Sequence, residues 1–376
     1  MSLRTKGRPL AVVAALIGGL ALVAPSAASA QQSSGHSDGF AVKQVNLVSD
    51  LPMGPDVLLD PDLVNPWGLS FGPATPIWSS NQGTSTSTLY RWLPGQTTAT
   101  KNAGVRVTVP VPTGQVFNNT TGFVLSSDTA TAPAAFIFAT LSGQIAAWSG
   151  TVDPLIGAAE IKATVKDAVY TGLAIATAKN GPQLYAANFA QGRIDVFDSK
   201  FDKVKQPYGA FRDSHLPKGY SPFNAQTLKV NGSDKIFVAY AKVDPKTGRN
   251  ASGKGLGFVD EYTVDGKFVA RIASRGSLNA PWGLAIAPAA WGKHAGSLLI
   301  GNFGDGRINF VEPKSQGRFD NKIEGQLKKT NGHTLVIPGL WALLPGTTAT
   351  GGTDSVWFSA GIANETHGLL GVLRLP

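Results

Sequence analysis

Three asparagines stand at the same point of a repeated sequence pattern, just after short apolar segments. Asn81, Asn188 and Asn302 each follow such a segment, and Asp305 and Glu365 lie near equivalent turns. Asparagine amides and carboxylates offer the oxygen atoms that a hard cation such as calcium prefers. If the repeat places these side chains in one ring, the sequence predicts a binding site at one mouth of a central channel, with calcium as a candidate cofactor.

A structural interpretation of the same asparagines is open as well. Asparagine tolerates left-handed backbone and bonds its own backbone in tight turns, so a repeated asparagine also marks a repeated turn. Trp67 and Trp282 leave a similar choice, since each lies between a proline and a glycine. They either fill the space between repeats or stack against a ligand.

Two other local patterns do not predict chemistry. Residues 35–39 match G-x-S-x-G, but a nucleophile elbow needs a strand-to-helix turn, and these residues lie in a polar leader. Residues 248–254 resemble a phosphate-binding loop, but Gly255 stands where a magnesium-binding Ser or Thr belongs. The absence of any recognisable catalytic motif favours a binding role over catalysis.

Internal repetition indicates the fold that would position these residues. The phrase at 65–69 returns at 279–284 with one extra residue, and the phrase at 185–194 returns at 300–308. Six units follow one another, and we take one residue of each as equivalent: Gly68, Gly122, Gly172, Gln226, Gly283 and Ala342. The steps between them are 54, 50, 54, 57 and 59 residues. Such a long, regular period predicts stacked supersecondary units.

Each unit continues into short apolar segments bounded by turn residues, so we expect about four strands per unit and an all-β, six-bladed β-propeller. One blade buries both faces only against its neighbours, and the ring must therefore close. The segment 40–48 reads as a strand without a blade, and the last unit stops one strand short near Leu373. We expect residues 40–48 to complete the last blade as its outer strand.

Composition indicates the compartment. Residues 1–30 combine a basic start, an apolar run and Ala28-Ser29-Ala30, which predicts a cleaved signal peptide. We interpret residues 31–39 as a flexible leader and 40–376 as a single domain, with no sorting tail after the last strand. The chain contains no cysteine, which excludes disulfides and thiolate sites. We expect a periplasmic or secreted protein.

Charge gives weaker guidance about partners. The formal net charge is +9, and the first 30 residues supply three positive charges and no acid. Lysine and arginine are scattered, and no nucleic-acid recognition motif is present. We expect a monomer without a nucleic-acid partner or a membrane span. Its partner would be an extracytoplasmic protein, a glycan or a small molecule.

The phrases at 65–69, 279–284 and 301–306, with the unit around Gln226, resemble an uncharacterised family of exported bacterial proteins. That family is related to NHL-repeat and gluconolactonase-like six-bladed propellers. The resemblance implies the propeller fold and an extracytoplasmic location, and it implies no activity.

Gluconolactonase-like and paraoxonase-like lactonases hold a central calcium with acids and asparagines, and the ion polarises the substrate carbonyl. By this resemblance, a calcium-assisted hydrolase or lactonase using Asn81, Asn188 and Asn302 is the alternative to a binding module. Those enzymes need well-placed acids, whereas the ring in this sequence is mostly neutral. We therefore favour the binding module.

Overall fold

The computed structural model describes residues 40–314 and 317–376. These residues belong to the compact unit Asp38–Pro376. The signal peptide predicted at 1–30 and the leader predicted at 31–39 lie outside the described residues. The described helices, Ala289–His294 and Ile362–Glu365, are short. Within the two described ranges, no helix has the length and apolar character needed to cross a membrane.

Six mainly antiparallel sheets form six blades, so the predicted β-propeller is confirmed. In each blade the innermost strand lies at the channel, and the second, third and outer strands follow outward. The strands of blades 1 to 3 are Pro66–Ser70, Ile77–Asn81, Thr86–Arg91, Thr100–Lys101 and Arg106–Thr108; Pro112–Phe117, Phe136–Thr140, Gln144–Trp148 and Glu160–Thr164; and Tyr170–Ala178, Gly181–Asn188, Arg193–Asp198 and Lys203–Val204. Those of blades 4 to 6 are Tyr220–Val230, Ser233–Lys242, Gly257–Thr263 and Phe268–Ser274; Pro281–Ile286, Leu298–Asn302, Ile308–Val311 and Gly325–Gln326; and Leu340–Pro345, Ser355–Ala360, Leu369–Arg374 and Ala41–Ser49.

Short strands outside the main order extend the sheets at their edges. Leu58–Leu59 and Lys328–Lys329 pair with the closing strand, and Ile156–Ala158 pairs with the outer edge of blade 1. Val124–Ser126 and Thr131–Pro133 form a separate two-stranded ribbon in blade 2. These additions cover strand edges that would otherwise expose unpaired backbone groups.

The closing strand predicted at 40–48 is observed as Ala41–Ser49. It pairs antiparallel with Leu369–Arg374, with Val45 opposite Val372. The innermost strands contact one another around the whole circle, including that of blade 6 against that of blade 1. The two ends of the domain therefore complete one blade, and the ring is closed as the sequence predicted.

Glycine permits the innermost strands to approach each other closely. A Cβ added to Gly68 would lie 2.5 Å from the carbonyl oxygen of Thr113. A Cβ added to Gly114 would lie 2.2 Å from the backbone nitrogen of Leu173. These distances are too short for any other residue, so the expectation that glycine lets backbones crowd near the axis is confirmed.

The predicted equivalence of the units was wrong in blades 2 and 4. In blade 2 the residue that corresponds to Gly68 is Gly114 rather than Gly122, because the innermost strand begins at Pro112 and the extra ribbon follows it. In blade 4 it is Asn224 rather than Gln226, because Phe223 takes the place of Trp67 and a Cβ added to Gly172 of blade 3 would lie 2.7 Å from the Asn224 Cα atom. The strand register shifts there between Pro222 and Asn224, which leaves Phe223 as a bulge residue.

Candidate functional site

Aromatic rings fill the channel at the end where the innermost strands begin, which we call the mouth. Trp67 and Trp341 stack with their ring centroids 3.5 Å apart, and Phe303 stacks on Trp341 at 4.0 Å. Trp282 contacts both tryptophans edge-on, and the bulge residue Phe223 packs beside them. The rings form an apolar floor across the channel, which we call the aromatic floor.

Above the aromatic floor lies a cavity of about 440 Å³, the mouth cavity. Its apolar lining is formed by Trp67, Leu141, Val169, Phe189 and Phe223. Its remaining lining comes from Asn65, Gln82, Thr171, Gly248, Arg249, Asn250, Asn364 and Glu365. Apolar walls with a few placed polar groups are typical of small-molecule sites.

The polar lining breaks the sixfold pattern of the ring. In every blade, the residue after the second strand donates its backbone N–H to the carbonyl oxygen of the residue before the innermost strand. The donors are Gln82, Leu141, Phe189, Val243, Phe303 and Gly361, and the acceptors are Asn65, Val111, Val169, Gly219, Ala280 and Gly339. A bond of this kind closes the strand pair in all six blades, two residues farther along in blade 4 where Ser221 and Ala241 are paired, and only blade 1 has a polar side chain on both sides of it. The fold therefore does not require them there.

Asn65 connects the polar wall of the cavity to its aromatic floor. Its Oδ1 accepts a hydrogen bond from Trp341 Nε1 at 2.9 Å. Its Nδ2 donates to Gln82 Oε1 at 2.8 Å and to Glu365 Oε2 at 3.2 Å. Because Asn65 is buried, it fixes Gln82 and Glu365 at the cavity wall.

A strained turn carries Glu365. Ala363, Asn364 and Glu365 have φ angles of 51°, 56° and 69°, so three successive residues are left-handed and none is glycine. Each such residue costs roughly 1–2 kcal/mol. Backbone strain of this kind persists only where surrounding contacts offset it, and it is concentrated at functional sites.

A loop of blade 4 reaches across the mouth to this turn. It connects Ser233–Lys242 to Gly257–Thr263 and carries Arg249, whose Nη2 donates to Glu365 Oε1 at 2.7 Å. On the other side of this ion pair lies a second cavity of about 490 Å³, which Asp305 and Glu365 both line. The loop and the strained turn divide the mouth into these two cavities.

Sequence comparison shows which proteins are related to this chain. Over 320 residues it is 33% identical to "Uncharacterized protein R648" of Acanthamoeba polyphaga mimivirus, covering 83% of this chain and 75% of R648. Over 322 residues it is 33% identical to "Uncharacterized protein L690" of the same virus, covering 84% and 81%. The chain belongs to the R648/L690 family. No family model matches it.

Solved structures similar to this R648/L690 family member include a streptogramin B lyase and a gluconolactonase. "Streptogramin B lyase structure" has a TM-score of 0.44 at 14% identity and covers 89% of this chain and 97% of the lyase. The gluconolactonase XC5397 of Xanthomonas campestris has a TM-score of 0.39 at 15% identity, with coverages of 64% and 82%. These likenesses say nothing about activity. The two related proteins are viral, so a bacterial, exported origin stays a prediction.

In this R648/L690 family member, the three repeated asparagines bond within their own blades. Each is fully buried, and each pairs with the residue seven positions later on the third strand. The pairs are Asn81 with Thr88, Asn188 with Asp195 and Asn302 with Asn309. Because the third strand lies outward from the second, these bonds join strands of one blade.

Asp195 illustrates how tightly such a pair is held. Its Oδ2 accepts hydrogen bonds from Asn188 and from the Tyr170 hydroxyl, and its Oδ1 contacts Arg193 and Lys203. Burial alone would raise the pKa of the Asp195 carboxyl, but the hydrogen bonds from Lys203, Arg193 and Asn188 outweigh burial and hold the pKa below its usual value. Asn188 thus helps to keep a buried carboxylate charged.

The same bonds bear on the predicted calcium ring. Oδ1 of Asn188 accepts the backbone N–H of Gln191, and Asn302 donates to Asp305 at 3.0 Å. Among residues 40–314 and 317–376, no group of three or more His, Cys, Asp or Glu residues could hold a metal ion. This set of donors does not fit a calcium ion.

Some predicted ligand-binding residues do lie at the mouth. Trp67 lines the mouth cavity, and Trp282 lies beside it in the aromatic floor, where its Nε1 donates to the Thr171 carbonyl at 2.8 Å. Glu365 lines both cavities, and Asp305 lines the second. The structure therefore brings the two tryptophans together, whereas the three asparagines lie in separate blades.

Sequence reasoning missed Gln82, Arg249 and the role of Asn65. A signal for Asn65 exists in the repeated phrase. By sequence, Asn65 matches Asn279, but the backbone hydrogen bonds show that it corresponds to Ala280, which has nearly the same φ, 45° against 46°. An asparagine where the repeat needs only alanine marks blade 1 as different.

Proposed function

We propose that this protein is a binding module that holds a small molecule in the mouth cavity. The observation that carries the proposal is the departure of blade 1 from the pattern of the other five blades. Asn65 and Gln82 bond to each other and to Glu365, although the same backbone forms elsewhere without polar side chains. Buried polar groups arranged in this way favour a bound ligand as the reason for their placement.

The proposal includes the compartment in which the protein binds its ligand. The basic and apolar pattern of residues 1–30 supports export to the periplasm or the medium. A ligand of that compartment would reach the mouth from solution. No observation favours the alternative of a calcium-assisted hydrolase, because the donor set around the repeated asparagines does not fit the ion.

Blocking the mouth cavity should abolish ligand binding. Leu141 lines this cavity, and Leu141→Trp would fill part of it. Leu344→Trp is the matched control, because Leu344 is equally half-buried and lines a cavity of about 310 Å³ at the opposite end of the channel. The measurement is a thermal-shift screen with small carboxylates, amides, amines and monosaccharides, since a ligand that binds the folded state raises the melting temperature.

At least one compound class should stabilise the wild type and Leu344→Trp, but not Leu141→Trp. Two outcomes count against the proposed function. One is a stabilisation that Leu344→Trp abolishes and Leu141→Trp leaves intact. The other is a screen in which no compound stabilises the wild type.

A further inference from the structure

The donors and acceptors at the mouth can be assigned from residues that have no alternative. Trp341 Nε1 can only donate, so the Asn65 atom 2.9 Å away must be the acceptor Oδ1. The other amide atom of Asn65 is then Nδ2, which must donate. The carboxylate of Glu365 can only accept, and it is indeed bonded to Nδ2. The orientation of the Asn65 amide is therefore fixed at two points.

The same reasoning orients Gln82. Because Asn65 Nδ2 donates, the atom of Gln82 that lies 2.8 Å from it must be the acceptor Oε1. The Nε2 group of Gln82 makes no hydrogen bond to any of the described residues. Gln82 lines the mouth cavity and is half-buried, so it presents N–H donors at the cavity wall.

The charged groups of the wall also present donors. Both oxygens of Glu365 are engaged, Oε1 by Arg249 and Oε2 by Asn65. Arg249 uses only Nη2 in this ion pair, and its Nε and Nη1 groups bond to no residue within 40–314 or 317–376. Both Glu365 oxygens are thus occupied, and donors of Gln82 and Arg249 remain available beside the amides of Asn250 and Asn364, which can both donate and accept.

The opposite wall has a different character. Leu141, Val169, Phe189 and Phe223 line it, above the ring of Trp67. These side chains can pack against a hydrocarbon or aromatic group of a ligand. The cavity therefore has one polar wall that offers free hydrogen-bond donors and one apolar wall.

We propose that the mouth cavity binds a small molecule that has a carboxylate at one end and an apolar body. This inference rests on the proposed binding function and names the ligand class. A carboxylate only accepts, and hydrogen bonds from an amide and a guanidinium to an ionised oxygen are stronger than those to a neutral oxygen. The formal net charge is +9, and without the three positive charges of residues 1–30 it is 9 − 3 = +6, which would also attract an anion toward the protein.

Three probes with the same aromatic body and different end groups test this inference. They are phenylacetate, phenylacetamide and phenethylamine, which are anionic, neutral and cationic at neutral pH. Isothermal titration calorimetry of the full chain should show phenylacetate binding about tenfold more tightly than phenylacetamide. Phenethylamine should bind more weakly than both.

The variant Gln82→Glu tests the contribution of the free Gln82 Nε2 group. A glutamate of nearly the same shape still accepts the hydrogen bond from Asn65, but it replaces the free N–H groups by a charged oxygen. Phenylacetate affinity should fall about tenfold or more, and phenethylamine affinity should rise. Gln226→Glu is the matched control at the opposite end of the channel, and it should change neither affinity.

Each outcome has a distinct meaning. Equal affinities for the three probes, or a Gln82→Glu variant that still prefers phenylacetate, would overturn the carboxylate inference. The binding module would stand in that case if Leu141→Trp abolished the binding of any probe. If no small molecule binds at all, both the inference and the proposed function fail.

Discussion

The variant Leu47→Asp is expected to lack a cooperative unfolding transition. Leu47 lies in the closing strand and is 0% exposed, packed in the same core cluster as Trp357 and Leu370. A buried carboxylate without a partner costs several kcal/mol, which is comparable with the whole stability of about 5–15 kcal/mol. If the closing strand moves so that water can reach the new carboxylate, blade 6 loses the strand that completes it and the ring loses its closure. Circular dichroism on heating measures the transition.

The control for this variant is Lys43→Asp, on the same strand. Lys43 is exposed, and an acid there meets solvent rather than the core. Its melting temperature should stay within a few degrees of the wild-type value. A Leu47→Asp protein that melts like the wild type would show that the closing strand does not hold the ring.

The variant Asn65→Ala is expected to fold, to be less stable and to lose ligand binding at the mouth. Ala280 has nearly the same φ in blade 5, 45° against 46°, so the fold already accommodates an alanine with this φ at the equivalent position. The loss comes from the side chain. Trp341 Nε1 would be left buried without an acceptor, which costs about 1–3 kcal/mol, and Gln82 and Glu365 would no longer be held in place.

Urea denaturation and calorimetry with phenylacetate measure the two effects separately. The matched control is Asn118→Ala in blade 2, because the buried Asn118 donates to two backbone carbonyls, those of Gly122 and Ala134, and does not line the mouth cavity. It should lower stability by a similar amount and leave binding unchanged. Retention of full affinity in Asn65→Ala would show that the polar wall does not position a ligand.

Repetition in the sequence was sufficient to predict the number of blades, the second and third strands and the closing strand. These elements are short apolar runs bounded by turns, and burial on both faces makes their pattern visible. The innermost strands of blades 2 and 4 were placed wrongly. An inserted ribbon and the bulge at Phe223 change the spacing locally without changing the sheet order, and spacing alone does not reveal either one.

The candidate site was harder to predict for a physical reason. Asn81, Asn188 and Asn302 recur because blades 1, 3 and 5 use the same internal bond between their second and third strands. A ligand breaks the symmetry of the ring, so its site depends on residues that differ between blades. Glu365 was among the predicted candidates, but its partner Arg249 lies 116 positions away, and only the folded ring brings the two together.

The indole N–H spectrum of the full chain tests the location of the site most directly. The eight tryptophans give one signal each, and Trp→Phe variants assign them. Addition of a compound that raises the melting temperature should shift the signals of Trp67 and Trp341 and leave that of Trp148, between blades 1 and 2, unchanged. Shifts confined to Trp148 and Trp78, with Trp67 and Trp341 unmoved, would contradict a binding site at the mouth.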